Sequence, residues 1–275
     1  VILCSGAIHS PAMLLRSGIG PVGHLHNMGI EVRLERAGVG QNLMEHAAAA
    51  MSAWMQPDAR LNDLTRRHIH LGWRYSSNMH HAPAGDMFAA VVAKSAWHAV
   101  GDRLGSMLAW VNKTYSTGQL TLTSSDWRVE PTVEFNMLSD ARDLDRLMDG
   151  YRRVVDVFMS SAVQAVTKDA FPSAYSERVR KVGTVTTRNK ILTGVLAQMM
   201  DGPSWFRKWL ISSFITEGDD IVTLMSDDEA LAAYLKRSVT GTWHASCSNR
   251  MGRADDPMAV TDGQGRVHGT QGLRV

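Results

Sequence analysis

"GAIHSPAMLLRSGIG", residues 6–20, continues an apolar run that begins at Val1 as "VILCSGA". The run has the composition of a strand. Ser10 followed by Pro11 predicts a helix N-terminus just behind it, and Gly18 predicts the stop. Strand, tight turn and helix in this order open an α/β unit.

Working outward, residues 21–28 predict a second short helix. "GIEVRLE", residues 29–35, alternates Ile30, Val32 and Leu34 with polar neighbours, the period of a half-buried strand. From His46 to about residue 115 the polarity becomes mixed, which predicts a change of domain. Within that stretch "MFAAVVA", residues 87–93, suits a buried strand. "GQLTLTSSD" (118–126) and "PTVEFNM" (131–137) both alternate, so they predict two antiparallel strands around a turn. Asp140 and Asp143 then open a long helix in which Leu144, Leu147, Met148, Tyr151, Val154, Val155 and Phe158 recur at spacings of three and four. Further on, Ser226 before "DDEALAAYLKR" has the signature of a Ser-capped helix. "MAVTDGQGRVHG", residues 258–269, predicts a hairpin about Asp262-Gly263.

The 29 Lys and Arg nearly cancel the 27 Asp and Glu, leaving a formal charge of +2. That balance gives no electrostatic case for nucleic acid or an anionic membrane surface. Cys4 and Cys247 are too few for a disulfide framework or a zinc site. No run of 18 uninterrupted apolar residues is present, so no transmembrane segment is expected. His68, His70, His80, His81 and His98 lack a partner at metal-ligand spacing, so no metal is assigned.

Gly18, Gly20 and Gly23 have the G-x-G-x-x-G spacing of a dinucleotide loop. They follow a helix and enclose Pro21, whereas the phosphate-cradling mechanism needs a strand before the loop. Gly38 and Gly40 in "GVGQNL" follow a strand but have Leu43 where a third glycine belongs.

Taken whole, residues 6–20 resemble a signature of the glucose-methanol-choline (GMC) oxidoreductases at Gly6, Ala7, Ser10, Pro11, Met13, Leu14, Ser17, Gly18, Ile19 and Gly20. "AGVGQNLMEH", residues 37–46, is similar to the family's P-G-V-G-x-N-L-x-D-H, with Ala37 and Glu45 as departures. The likeness runs on through residues 116–144, with Thr117 where Arg is common. It ends in "HASCSNRMG" (244–252) and "DDPMAVTDGQGRVHGTQGLRV" (255–275), similar to H-P-x-G-T-x-R-M-G and the segment that closes on G-L-R-V. Here Ala245, Cys247 and Ser248 stand in place of Pro, Gly and Thr.

The resemblance implies an α/β (α+β) fold. Residues 1–46 and 239–275 would belong to a discontinuous, Rossmann-like FAD-binding domain, enclosing a substrate domain of antiparallel sheet and helices over 47–238. It implies FAD as cofactor, with Ser5, Gly6 and Ala7 beside its adenine or ribose part; a strand ending in glycine suits a close backbone approach. It further implies oxidation of a small-molecule alcohol to an aldehyde or ketone, with oxygen or a quinone-type compound as electron acceptor. His244 aligns with the family's catalytic base, and histidine is the side chain whose ordinary pKa best suits proton abstraction near neutrality. The family's glycine-rich loop is expected upstream of Val1, and its D-A-S segment with a second active-site His or Asn downstream of Val275.

Two other readings stand beside it. One is a non-catalytic binding or structural module that keeps remnants of the fold. The other is a cysteine hydrolase pairing Cys247 with His244, for which the sequence identifies no orienting Asn or carboxylate.

Overall fold

The computed structural model describes residues 1–173, 176–216 and 218–275. It divides into two compact units. One contains residues 1–46, 114–140 and 241–275, and the other residues 47–113 and 141–240. Residues 114–140, expected within the inserted stretch 47–238, therefore belong with the two chain ends.

In the first unit, helix Gly6–Arg16 is amphipathic and buries Ala12, Leu14 and Leu15. These meet Ile19, Leu25, Val39, Leu120, Leu122, Val260 and Val267 in one apolar core. The helix ends through Ser17 into Gly18, whose φ of +80° is the left-handed turn that a glycine makes without strain. Ile19–Gly20 pairs in parallel with Leu34–Glu35, so only the last two residues of the predicted strand 29–35 find a ladder. Gln41–Leu43, Gly118–Thr121 and Thr132–Glu134 form an antiparallel sheet in that order. The last two are the strands that alternation predicted on either side of the turn.

Two expectations at the start of the chain are corrected. Residues 1–7 are not a strand: extended backbone becomes one only where it pairs, and Ile2 alone does, in a single parallel bridge to Arg274. Ser10 does not cap the helix, because the helix already begins at Gly6 and Pro11 lies inside it. Ser10 Oγ instead accepts the Ser5 N–H at 3.1 Å. Pro11 has no N–H to give to the carbonyl four residues back, which is that of Ala7. The Ser248 hydroxyl takes over, donating to Ala7 O at 2.5 Å.

The second unit is built on an antiparallel sheet in the order Thr167–Pro172, Ala48–Met55, Leu104–Val111, Met87–Val92, Ile69–Tyr75. Helix Ala141–Met159 lies on it with Leu147, Tyr151, Val154, Val155 and Phe158 buried, as its periodicity predicted. Gly150 permits the close approach, since a Cβ there would stand 2.9 Å from Met87 Cε and 3.3 Å from Ala109 Cβ. A second core gathers Trp54, Leu104, Phe171, Met200, Leu210 and Ile211. Ser226 is not the cap of helix Asp228–Ser238, because it closes the preceding helix Ile221–Ser226. Asp227 caps, accepting the N–H groups of Glu229 and Ala230 at 2.8 and 3.1 Å, and its charge also suits a helix N-terminus. Among the described residues no helix is long and apolar enough to cross a membrane.

Candidate active site

His244 lies in the loop that re-enters the first unit at Gly241. An antiparallel bridge anchors the loop, with Met44 N–H donating to Ser246 O and Ser246 N–H to Met44 O, both at 3.0 Å. Pairing at 44 and 246 brings Glu45 alongside His244. The Glu45 carboxylate is buried, at 5% exposure, and donors from three residues meet it. It accepts the His244 N–H at 2.9 and 3.2 Å, the His46 N–H at 2.7 Å and the Thr242 hydroxyl at 3.2 Å. Such a set satisfies a buried acidic group without a cation.

The Thr242 hydroxyl also lies 3.1 Å from His244 Nδ1. The imidazole of His46 meets that of His244 edge-on, with ring centroids 5.3 Å apart. Between Thr242 and His244 the chain turns at Trp243, whose φ of +62° is unusual for a bulky side chain. A left-handed residue of this kind costs about 1–3 kcal/mol and persists where its surroundings hold it. Here the bonds to Glu45 flank it on both sides. The His244 ring is exposed while its main chain and Nδ1 are tied down.

Further along the same loop, Cys247, Ser248 and Asn249 line an open cleft of about 420 Å³ together with Leu3, Cys4, Gly6, Ala7, Ser10 and Val275. Gly6 has φ +73°, and a Cβ there would meet nothing within 4 Å, so the main chain lies bare on the cleft. The N-cap residue Ser5 makes no side-chain capping bond to the first turn of helix Gly6–Arg16. Asn249 Oδ1 is buried and has no hydrogen-bond partner. A buried amide oxygen in that state awaits a donor. A bare glycine backbone, a helix N-terminus and an unsatisfied amide together form a surface that fits the polar part of a nucleotide.

The residues singled out by sequence are thus sorted. Gly6 and Ala7 line the cleft with residues 247–249, and Ser5 adjoins them, its hydroxyl directed to Met13 Sδ at 3.5 Å. His244 occupies the other end of that loop. Cys4 and Cys247 are exposed thiols on the cleft, and no hydrogen bond joins Cys247 to His244. His268, in the predicted hairpin, donates from Nε2 to Gly252 O at 3.0 Å, a tie back to the segment before it.

The glycines of the near-fingerprints have local reasons. A Cβ on Gly18 would stand 2.3 Å from Glu31 O, one on Gly38 2.1 Å from Met258 O and one on Gly40 2.5 Å from Leu120 O. Sequence reasoning missed Glu45, Thr242 and Asn249 as parts of the site. The one available signal was a carboxylate set directly after apolar Leu43-Met44 and before a histidine.

Two family models, both described as GMC oxidoreductase, match residues 1–48 and 114–275. Over 279 residues the sequence is 39% identical to 5-(hydroxymethyl)furfural oxidase of Methylovorus sp. (strain MP688), covering all of this chain and 45% of that protein. It is 28% identical to oxygen-dependent choline dehydrogenase of Ectopseudomonas mendocina (strain ymp), covering 100% of this chain and 44% of that one. Among solved structures, pyridoxine 4-oxidase from Mesorbium loti superposes with a TM-score of 0.70 at 17% identity, over 100% of this chain and 45% of its own. Formate oxidase does so with a TM-score of 0.71 at 16% identity, over 100% and 48%. These superpositions bear on the fold. The chain spans a little under half the length of the relatives it matches.

Proposed function

We propose that this chain, which belongs to the GMC oxidoreductase family, is the part of an FAD-dependent alcohol oxidoreductase that carries the catalytic base, His244. The observation that carries the reading is the hold on His244. An exposed imidazole, on the family's histidine motif, is fixed through its own N–H by buried Glu45 and through its Nδ1 by half-buried Thr242. A general base must be both accessible and positioned, and such a base contributes about 10²–10⁴-fold to a rate.

We assign FAD binding to the unit formed by residues 1–46, 114–140 and 241–275, and substrate contacts to the other unit. Gly6 and Ala7, with Ser5 beside them, would receive the adenine or ribose part in the cleft, and Asn249 Oδ1 would accept a hydrogen bond there. When bound, the flavin would supply the two-electron acceptor for the carbinol hydride, at its N5. His244 takes the hydroxyl proton, so the alcohol loses one hydride and one proton and leaves as an aldehyde or ketone. The substrate class, a small alcohol, is in keeping with the names of the hydroxymethylfurfural and choline enzymes.

The test uses the complete reading frame that encodes this chain. The purified protein is expected to be yellow, and its flavin absorbance to bleach when candidate alcohols are added without oxygen. His244→Asn should keep the flavin and slow the bleaching by about 10²–10⁴-fold. A colourless protein, or bleaching at the wild-type rate in His244→Asn, overturns the reading.

A further inference from the structure

We infer that Glu45 and Thr242 are positioning residues that set the tautomer of His244, leaving Nε2 as the atom that takes the substrate proton. The inference rests on the reading of His244 as the base.

A proton count leads to it. Thr242 has one hydroxyl proton and gives it to Glu45 Oε1, at 3.2 Å. Toward His244 Nδ1, 3.1 Å away, the hydroxyl can then present only a lone pair. Two lone pairs facing each other do not bond, so Nδ1 carries the hydrogen. A neutral imidazole protonated at Nδ1 has its free lone pair at Nε2. When Nε2 takes a proton, Nδ1–H still donates to Thr242 and nothing in the chain has to turn over.

Glu45 has two parts in this. Its Oε1 fixes the direction of the Thr242 hydroxyl, and both oxygens hold the main-chain N–H of His244, so the ring is oriented from its side chain and its backbone at once. Glu45 does not touch the reacting atoms. It faces three donors, from His46, Thr242 and His244, and that arrangement suits an acceptor with two equivalent oxygens and frustrates an amide.

The test is made on the flavin-loaded, full-length protein with histidine labelled in both ring nitrogens. The His244 signals are assigned by their loss in His244→Asn. In neutral-imidazole conditions the wild type is expected to show Nδ1 protonated and Nε2 bare. Thr242→Val should lose that preference and lower kcat by about 10–100-fold while KM moves little, and Thr242→Ser should restore both. Glu45→Gln should shift the tautomer in the same direction as Thr242→Val, and serves with Thr242→Ala if the valine variant does not hold flavin. An Nε2-protonated wild type, or an unchanged tautomer in Thr242→Val and Glu45→Gln, overturns the inference whatever the rates. That result leaves His244 standing as the base, which falls only if His244→Asn reduces flavin normally.

Discussion

Gly241 and Glu45 compete for one space: a Cβ on Gly241 would stand 2.8 Å from Glu45 Cγ and 3.1 Å from its Cδ. The carboxylate that holds His244 can lie where it does because residue 241 has no side chain. Gly241→Ala is therefore expected to push Glu45 aside and carry the imidazole with it. An ångström of misplacement costs about 10²-fold in rate, so kcat for alcohol-driven flavin reduction should fall by that order. Gly263→Ala, where a Cβ meets nothing within 4 Å, should leave the rate unchanged. Stopped-flow reduction of the two variants side by side checks the pair.

In the second unit, Arg146 is buried between Asp143 and Asp86, bonding the Asp143 carboxylate and reaching Asp86 at 3.3 Å. Burial pushes the Asp86 carboxyl up, but hydrogen bonds from Ser77 and Arg146 outweigh it and hold the pKa below its ordinary value. Arg146→Met takes the buried cation away from two interior carboxylates. The expected loss is about 3–5 kcal/mol, read as a lower denaturation midpoint in the full-length protein.

The cap of helix Asp228–Ser238 separates two neighbouring residues. Asp227→Ala removes the acceptor for two main-chain N–H groups and should cost about 1 kcal/mol. Ser226→Ala removes only bonds back to Val222 and Thr223 inside the previous helix. Equal effects of the two substitutions in urea titrations would contradict the assignment.

His24 gives a pH dependence of known sign. Its Nε2 accepts the Leu122 N–H at 3.1 Å, and burial lowers its pKa from 6.5. The folded chain thus resists a proton that the unfolded chain accepts. The stability linked to His24 is whole above pH 6.5 and is lost as the pH falls from there toward the lowered value. His98, also lowered by burial, contributes in the same direction. The melting temperature should drop on acidification below neutrality, and His24→Gln, which keeps an acceptor without titrating, should make that drop shallower.

Much of this molecule is legible in its sequence where a pattern is local. The helix Ala141–Met159, the strand Met87–Val92 and the paired strands around residue 126 follow from apolar periodicity, which reports burial directly. The errors share a cause as well. Ser10 and Ser226 have the residue type of a cap, but a cap is defined by which N–H groups are free, and in both cases the true boundary lay elsewhere. Glu45 was visible only as a departure from Asp. Its role is to accept main-chain hydrogens 199 residues away, and main-chain donors leave no trace in a side-chain pattern.

The bridge between Met44 and Ser246 closes a circuit that contains both stretches of the second unit, 47–113 and 141–240, with residues 114–140 of the first unit between them. Closure entropy rises only with the logarithm of the enclosed length, so adding fifty residues to a circuit of some two hundred costs about 0.2 kcal/mol. The geometry around His244 is indifferent to how long the excursion is, provided its two ends return to the same rung. Those stretches can thus be lengthened or trimmed with little thermodynamic consequence, while Glu45, Thr242 and His244 keep their register.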